Sequence, residues 1–208
     1  SMNYLSMAEQ VAEKYDSLYL GFVKVLQSDA YSKNYNNLEE LACLEEALQV
    51  YIDIGADYYV DVATLGLATS YANNEKFNDA KSLFEELLSS GNLNKRMSIK
   101  AMRNYAFMLA TCPESDFSLS SAYYQKVESE DEGRYMSAQD YWVWAYALSE
   151  MGEYERSHEI VDVMRLVDSS ATACHFMYMI AKNEGDTEKA LDYLEQFCDR
   201  NNDEVVQI

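Results

Sequence analysis

The chain has 208 residues and a formal net charge of -20, from 36 acidic and 16 basic side chains. That charge would repel nucleic acid and anionic membrane surfaces, so neither is expected as a partner, whereas a basic segment would be attracted. Hydrophobic residues make up 49% of the chain, enough to bury a core, and one proline with seven glycines favours long helices over a sheet-rich fold.

The N-terminal segment, residues 1–58, is predicted to form an irregular capping hairpin. A long helix around residues 7–27 is expected to turn Leu18 and Phe22 inward, and a second helix from about residue 38 to residue 54 is expected to pack against it. Terminal units of stacked helical arrays are usually atypical, which suits this position in the chain.

Residues 60–201 carry a repeated pattern of paired helices. In the first copy, apolar or small residues recur at steps of three and four on two helices, at Thr64, Leu67, Ala68 and Tyr71 and then at Phe77, Ala80, Phe84 and Leu87. Similar copies begin near Met102, Tyr141 and Cys174. Pro113 cannot lie inside a helix and marks the break within the second copy, while Ser137-x-x-Asp140 predicts a capping box at the start of the third.

Small residues occupy matching positions on the second helix of each pair. They recur at intervals of 33 to 40 residues, at Ala47, Ala80, Ser120, Ser157 and Ala190. A small side chain lets two helices cross closely, and the large residues then fill the space toward the next pair. Trp144 is accordingly predicted to point inward.

These alternations resemble the tetratricopeptide repeat, a family of 34-residue helix–turn–helix units. The residues that carry the resemblance are Leu67-Ala68-x-x-Tyr71 with Ala80 and Phe84, Trp144-Ala145-x-x-Leu148 with Gly152 and Tyr154, and Gly185-Asp186 with Ala190-Leu191. Several units run longer than 34 residues, serine twice replaces alanine on the second helix, and no unit ends in the family's proline. The resemblance implies an all-α, right-handed superhelical solenoid of about five antiparallel hairpins, in a single domain over residues 1–208.

In that family, first-helix residues that lie off the packing face form a concave binding wall. The resemblance therefore predicts that a partner binds to Leu65, Thr69, Asn73, Arg103, Phe107, Trp142, Tyr146, His175 and Met179. The later residues of this set form an aromatic, sulfur-rich stripe that suits an apolar or extended peptide. The Lys and Asn clamp of the chaperone-tail-binding members is absent, because Leu65 and Thr69, and then Trp142 and Tyr146, stand at the matching positions.

No motif for catalysis, a cofactor or a metal is evident. The sequence lacks a glycine-rich phosphate loop and a Gly-x-Ser-x-Gly elbow, and its four cysteines and two histidines have no zinc spacing. The cysteines are expected to be buried free thiols, although Cys174 and Cys198 fall on the two helices of one hairpin, where a disulfide is conceivable. We therefore predict a non-enzymatic protein-interaction module that needs no cofactor, the scaffold or sensor region of a larger protein. The alternative is a homo-oligomerising array with the stripe buried in a dimer.

The two ends of the chain add further expectations. No run of 18 apolar residues occurs, so no membrane-spanning segment is predicted. Residues 202–208 lose the helical periodicity and end in an apolar group, which is expected of a tail cut from a longer protein. The compartment stays open between the cytoplasm and, for a piece of a bacterial envelope protein, the periplasm.

Overall fold

The computed structural model describes residues 2–131 and 134–206, and within these ranges the secondary structure is helical, without strands. The chain is therefore all-α, as predicted. Eleven helices lie in the described residues: α1 (Met2–Tyr15), α2 (Ser17–Ser32), α3 (Asn37–Asp53), α4 (Asp57–Asn73), α5 (Phe77–Ser89), α6 (Lys95–Thr111), α7 (Phe117–Asp131), α8 (Ala138–Glu150), α9 (Tyr154–Met164), α10 (Ala171–Asn183) and α11 (Thr187–Val206).

The packing divides the chain into two compact units, residues 1–101 and 102–208, with the boundary inside α6. We refer to them as the N-terminal unit and the C-terminal unit. The sequence predicts a single domain with a capping hairpin that ends at residue 58. That boundary falls in the first turn of α4, inside the N-terminal unit, where α3 and α4 pack against each other.

The N-terminal unit begins with two helices where the sequence predicts one. The long helix expected around residues 7–27 is interrupted at Asp16, which has an extended backbone. The Asp16 carboxylate accepts hydrogen bonds from the backbone N–H groups of Leu18, at 2.9 Å, and Tyr19, at 3.4 Å. An aspartate in this position caps the first turn of the following helix, and this local capping overrides the continuous apolar periodicity.

The core of the N-terminal unit is built by α2, α3 and α4. Ala47, Tyr51 and Ala63 are buried at its centre, and Leu18 packs against them as predicted. The Tyr51 ring stacks on that of Tyr59 with centroids 5.3 Å apart, and Phe22 meets Tyr59 edge-on at 4.9 Å. These aromatic contacts pack α2 against α3 and α4.

The C-terminal unit contains three successive pairs of contacting helices, α6 with α7, α8 with α9 and α10 with α11. The small residues predicted at the crossings are fully buried at Ser120 and Ser157. Their hydroxyl groups donate to backbone carbonyls of the partner helix, from Ser120 to Ala106 at 2.7 Å and from Ser157 to Ala145 at 2.8 Å. Serine thus replaces alanine at a crossing without leaving a buried polar group unpaired.

One turn geometry recurs in five of the connections between the described helices, α2–α3, α3–α4, α4–α5, α8–α9 and α10–α11. The N–H three or four residues after the last helical residue donates to a carbonyl five residues earlier, as in Glu153 to Leu148 at 2.9 Å and Lys76 to Tyr71 at 2.9 Å. This is the Schellman arrangement, which places the preceding residue in the left-handed region. That residue is glycine at positions 55, 152 and 185, but Tyr35 and Glu75 adopt the same positive φ without being glycine.

Several local predictions are confirmed, but the last helix is longer than the sequence pattern indicates. Ser137 and Asp140 form the capping box of α8, Trp144 is buried at 2% exposure, and Pro113 lies in the connection between α6 and α7. All four cysteines are free thiols, and Cys198 is exposed rather than buried. The chain stays helical to Val206, beyond the point where the sequence loses its periodicity, while residues 207–208 lie outside the described part.

Candidate partner-binding surface

The three predicted binding residues of the N-terminal unit do not form a continuous wall. Leu65 is buried, with 2% of its surface exposed, so the prediction that it offers its side chain to a partner is wrong for this structure. Thr69 is half-buried and its hydroxyl donates to the Leu65 carbonyl at 2.8 Å, a bond within the helix. Asn73 is exposed at the end of α4. The buried leucine and the internally bonded threonine leave Asn73 as the accessible member of this group.

Trp142 is a structural residue rather than an accessible one. It is fully buried, and its indole N–H donates to the Asp168 carboxylate at 2.7 Å. The other Asp168 oxygen accepts the backbone N–H of Ser170 at 2.9 Å, just before α10. Partial burial alone would raise the pKa of Asp168, but the hydrogen bonds from Ser170 and Trp142 lower it below its usual value. The indole therefore ties α8 to the loop between α9 and α10, and it presents no surface to a partner.

Arg103 is also engaged within the protein. Its guanidinium donates to the Tyr135 carbonyl at 2.7 Å and lies 3.7 Å from the buried Asp140 carboxylate. Asp140 in turn completes the capping box with Ser137. Arg103 thus braces the start of α8 against α6, while Phe107, one turn further along α6, is half-buried against the core of the C-terminal unit.

The structure brings two predicted residues, Tyr146 and His175, into one continuous chain of aromatic rings. The ring centroids of Phe117 and Tyr146 are 5.6 Å apart, and those of Tyr146 and Phe176 are 6.4 Å apart. Phe176 and His175 follow at 6.2 Å, and His175 and Phe197 at 5.4 Å. We call these five residues the aromatic row. It crosses from α7 over α8 and α10 to α11, all within the C-terminal unit.

The rings of the aromatic row are packed against the protein on part of their surface and are exposed on the rest. Phe117, Tyr146, Phe176 and Phe197 are half-buried, and His175 is exposed. Burial and a hydrogen bond to Glu150 raise the pKa of the Tyr146 hydroxyl well above its ordinary value, so this ring stays neutral. Met179, half-buried one helical turn after His175, lies on the same stretch of α10.

Three members of the aromatic row were not among the predicted binding residues. The repeat pattern places Phe117 and Phe197 on the packing faces of their helices, so it does not mark them as surface residues. Phe176 directly follows His175, and neighbours in sequence point about 100° apart on a helix. The available signal is the run of ring-bearing side chains at His175, Phe176 and Tyr178 in α10, which periodicity alone does not resolve into surface and core.

A second apolar surface lies in the N-terminal unit, on α1 and α2. A cavity of about 620 Å³ opens there between the two helices. Met7, Val11 and Tyr19 line it with 65%, 59% and 62% of their surfaces exposed. Exposed apolar groups of this size in one place are characteristic of contact surfaces.

Two features, a metal-binding cluster and a membrane-spanning helix, are absent from the described residues. Among them, no group of three or more histidine, cysteine, aspartate or glutamate side chains is placed to hold a metal ion. Within the same residues, no helix combines the length and the apolar character needed to cross a membrane. His158 lies 2.8 Å from the Glu184 carboxylate, a pairing between α9 and the end of α10.

Comparison of the chain with models of known protein families, with curated proteins and with solved structures gives no match.

Proposed function

We propose that the chain is a tetratricopeptide-like helical-repeat module that binds a protein or peptide along the aromatic row. In this proposal it has no catalytic activity and serves as the scaffold or sensor region of a larger protein. The single observation that carries the proposal is the continuous contact of five rings across three helix pairs, with centroid separations of 5.4 to 6.4 Å.

The spacing of the rings supports an extended ligand. Alternate side chains of an extended strand point to the same side and lie about 6.6 Å apart. The ring centroids are separated by similar distances, so successive apolar side chains of an extended peptide can each meet a ring. Rings that are already fixed by packing lose little conformational entropy on binding, which favours affinity.

The crossings support the repeat architecture within this proposal. Ala47, Ala80, Ser120 and Ser157 are fully buried, and Ala190 is 7% exposed, as a close approach of paired helices requires. A right-handed superhelix of about five hairpins, with a concave side, is the arrangement of the resembled family. The net charge of -20 adds that a partner with basic residues around its apolar ones would be steered toward the chain.

The first experiment combines solution mass with selection of binders. Light scattering after size exclusion gives the mass of the wild type, and a displayed library of random peptides is then selected on it. We expect a monomer, and selected peptides that share apolar residues at alternate positions. Replacing both Tyr146 and His175 with alanine should weaken these peptides at least about tenfold, the effect of losing one interface hot spot.

Tyr135→Ala is the matched control, because Tyr135 is 41% exposed in the same unit but lies outside the aromatic row. It should leave peptide affinity unchanged. Peptides that bind both variants and the wild type equally well would show that the row is not the binding surface. Trp142→Ala is unsuitable as a probe, since it removes a buried side chain and its hydrogen bond to Asp168.

The second candidate is a homo-oligomeric array in which the aromatic row is buried between copies. The observation in its favour is the amount of uncovered apolar surface, on the row and on Met7, Val11 and Tyr19. A wild-type dimer that Tyr146→Ala and His175→Ala together convert to a monomer would support this candidate over the first. A dimer that persists in that variant would leave the row free and point to α1 and α2 as the contact.

A further inference from the structure

A cavity of about 420 Å³ lies between α7, α8 and α9 in the C-terminal unit. Tyr141 and Trp144 of α8 contribute to its wall. These two residues precede Tyr146 by five and two positions, which places them roughly 140° and 160° around the helix from it. The cavity is therefore a separate feature on the other side of α8 from the aromatic row.

The inner wall of the cavity is apolar and rigid. The Trp144 indole N–H donates to the Ser121 hydroxyl at 3.0 Å, which fixes the orientation of the ring. Tyr124 covers one side of the indole, with ring centroids 6.2 Å apart and planes inclined by 30°. Ile160, Val163 and Met164 of α9 complete the apolar lining. Wall atoms held in this way form a preformed recess rather than one that must be opened by a ligand.

The mouth of the cavity is acidic. Glu128 reaches it from α7 and Glu159 from α9, and both side chains are exposed. The one cation among the lining residues, Arg156, lies 3.1 Å from the carboxylate of Glu153, a third acidic residue next to the lining set. Burial first, and then the nearby charges of Glu128 and Asp140, raise the pKa of the Tyr141 hydroxyl.

We propose that this cavity binds the side chain of a lysine or arginine from a partner protein. The long aliphatic stem would lie against Ile160 and Met164, and the cation would lie between Glu128 and Glu159 beside the two aromatic rings. Basic side chains bury their stems while keeping the charge near water, and aromatic faces and carboxylates both attract such a cation. Cavities of about 300–1,000 Å³ are typical of ligand sites, and this one falls within that range.

The charge pattern selects this occupant over others. An anionic ligand would meet two carboxylates at the mouth and a chain of net charge -20. A neutral apolar side chain would gain from the lining but would make no use of the two carboxylates. A cation on an aliphatic stem matches both the wall and the mouth, and it needs no contact with the aromatic row.

The test uses three acetylated and amidated tripeptides, with alanine on both sides of arginine, lysine or the uncharged norleucine. The readout is the NMR signal of the Trp144 indole N–H, with that of Trp142 as an internal reference, because the chain has two tryptophans and Trp142 does not line the cavity. We expect the arginine and lysine peptides to shift the Trp144 signal in a saturable way and norleucine to leave it unchanged.

Neutralising the mouth tests the assigned residues. Glu128→Gln with Glu159→Gln should weaken the cationic peptides roughly tenfold, as expected when two partly exposed ion pairs are lost together. Both side chains are exposed, so the variant should fold normally. Glu155→Gln is the matched control, because Glu155 is exposed on the same helix but does not line the cavity, and it should change nothing.

Three results would overturn the proposal. One is the absence of a saturable Trp144 shift with either cationic peptide. Another is an equal shift with the norleucine peptide, which would make the cavity merely apolar. The third is unchanged affinity in the Glu128→Gln, Glu159→Gln variant, which would attribute binding to the general charge of the chain. None of these results bears on the aromatic row, which the Tyr146 and His175 variant tests separately.

Discussion

The two units of the chain build the same helix pairs with different chemistry. In the N-terminal unit the buried crossing residues are alanines, Ala47 and Ala80, and the largest buried groups include Tyr51 and Phe84. In the C-terminal unit two of the three crossing residues, Ser120 and Ser157, are serines that donate to backbone carbonyls, and the third is Ala190. Its two indoles are also hydrogen-bonded, to Asp168 and to Ser121.

This difference shows which property of a crossing residue the fold requires. Alanine and serine are both small, and both let the helices approach. The hydroxyl is tolerated in the C-terminal unit because a carbonyl of the facing helix accepts it at 2.7–2.8 Å. The fold therefore constrains the volume of the crossing side chain, whereas a polar atom at that position only needs a hydrogen-bond partner.

The largest expected effect belongs to the C-terminal unit. Trp144→Ala removes a side chain that is 2% exposed, together with its hydrogen bond to Ser121. We expect the free energy of unfolding to fall by about 3–5 kcal/mol, as for other large core truncations. Urea titration followed by circular dichroism measures it. A loss below about 1 kcal/mol would contradict the buried position, and Tyr135→Ala, at an exposed aromatic site, should stay within about 0.5 kcal/mol.

The helix pairs could be predicted from the sequence, but the interruption between α1 and α2 could not. Apolar residues recur at steps of three and four because the helix has 3.6 residues per turn, and small residues recur at intervals of 33 to 40 residues. Both patterns can be recognised from the sequence alone. Asp16 interrupts an equally good pattern because its carboxylate caps two backbone N–H groups. A single aspartate inside a periodic run has several possible roles, so periodicity alone predicts a continuous helix there.

The next expected effect belongs to the N-terminal unit and concerns the glycine at a close helix contact. A Cβ added at Gly21 would lie 2.3 Å from Cε1 and 2.6 Å from Cζ of the Tyr51 ring, which is 1% exposed. Neither the ring nor the helix can yield freely, because Tyr51 is also stacked on Tyr59. We expect Gly21→Ala to destabilise the protein by about 1–3 kcal/mol, the usual cost of overpacking.

Gly66→Ala is the matched control for that substitution. A Cβ at Gly66 would lie 3.3 Å from a terminal methyl group of Leu44, which can move by a few tenths of an ångström. Alanine also favours the helix over glycine by about 1 kcal/mol, so the change should be neutral or slightly stabilising. Equal destabilisation by the two substitutions in thermal unfolding would show that the Tyr51 contact is not the cause.

The candidate site was only partly predictable, because exposure depends on the neighbouring helices. Tyr146 and Trp142 are four residues apart on α8 and were predicted to lie on the same wall. Trp142 is fully buried because the loop before α10 covers it and Asp168 accepts its N–H, whereas Tyr146 remains half-exposed. The position of that loop is a tertiary feature, and no local pattern around Trp142 carries it.

The smallest expected effect tests the turns that the two units share. Glu75, in the N-terminal unit, has φ of 60°, and Gly152 occupies the equivalent turn position in the C-terminal unit with φ of 77°. An L-residue in this region costs roughly 1–2 kcal/mol, which glycine avoids at some loss of entropy in the unfolded chain. Glu75→Gly should therefore stabilise the protein by about 0.5–1 kcal/mol, and Gly152→Ala should destabilise it by a similar amount.

Both substitutions leave the surroundings of the turn unchanged, which isolates the backbone effect. Glu75 is exposed, and a Cβ added at Gly152 would meet no atom within 4 Å. Chemical denaturation of the two variants should give changes of opposite sign. If Glu75→Gly destabilised the protein instead, the Glu75 side chain would contribute more to the N-terminal unit than its backbone strain costs, and the two units would differ in their turns as they do in their crossings.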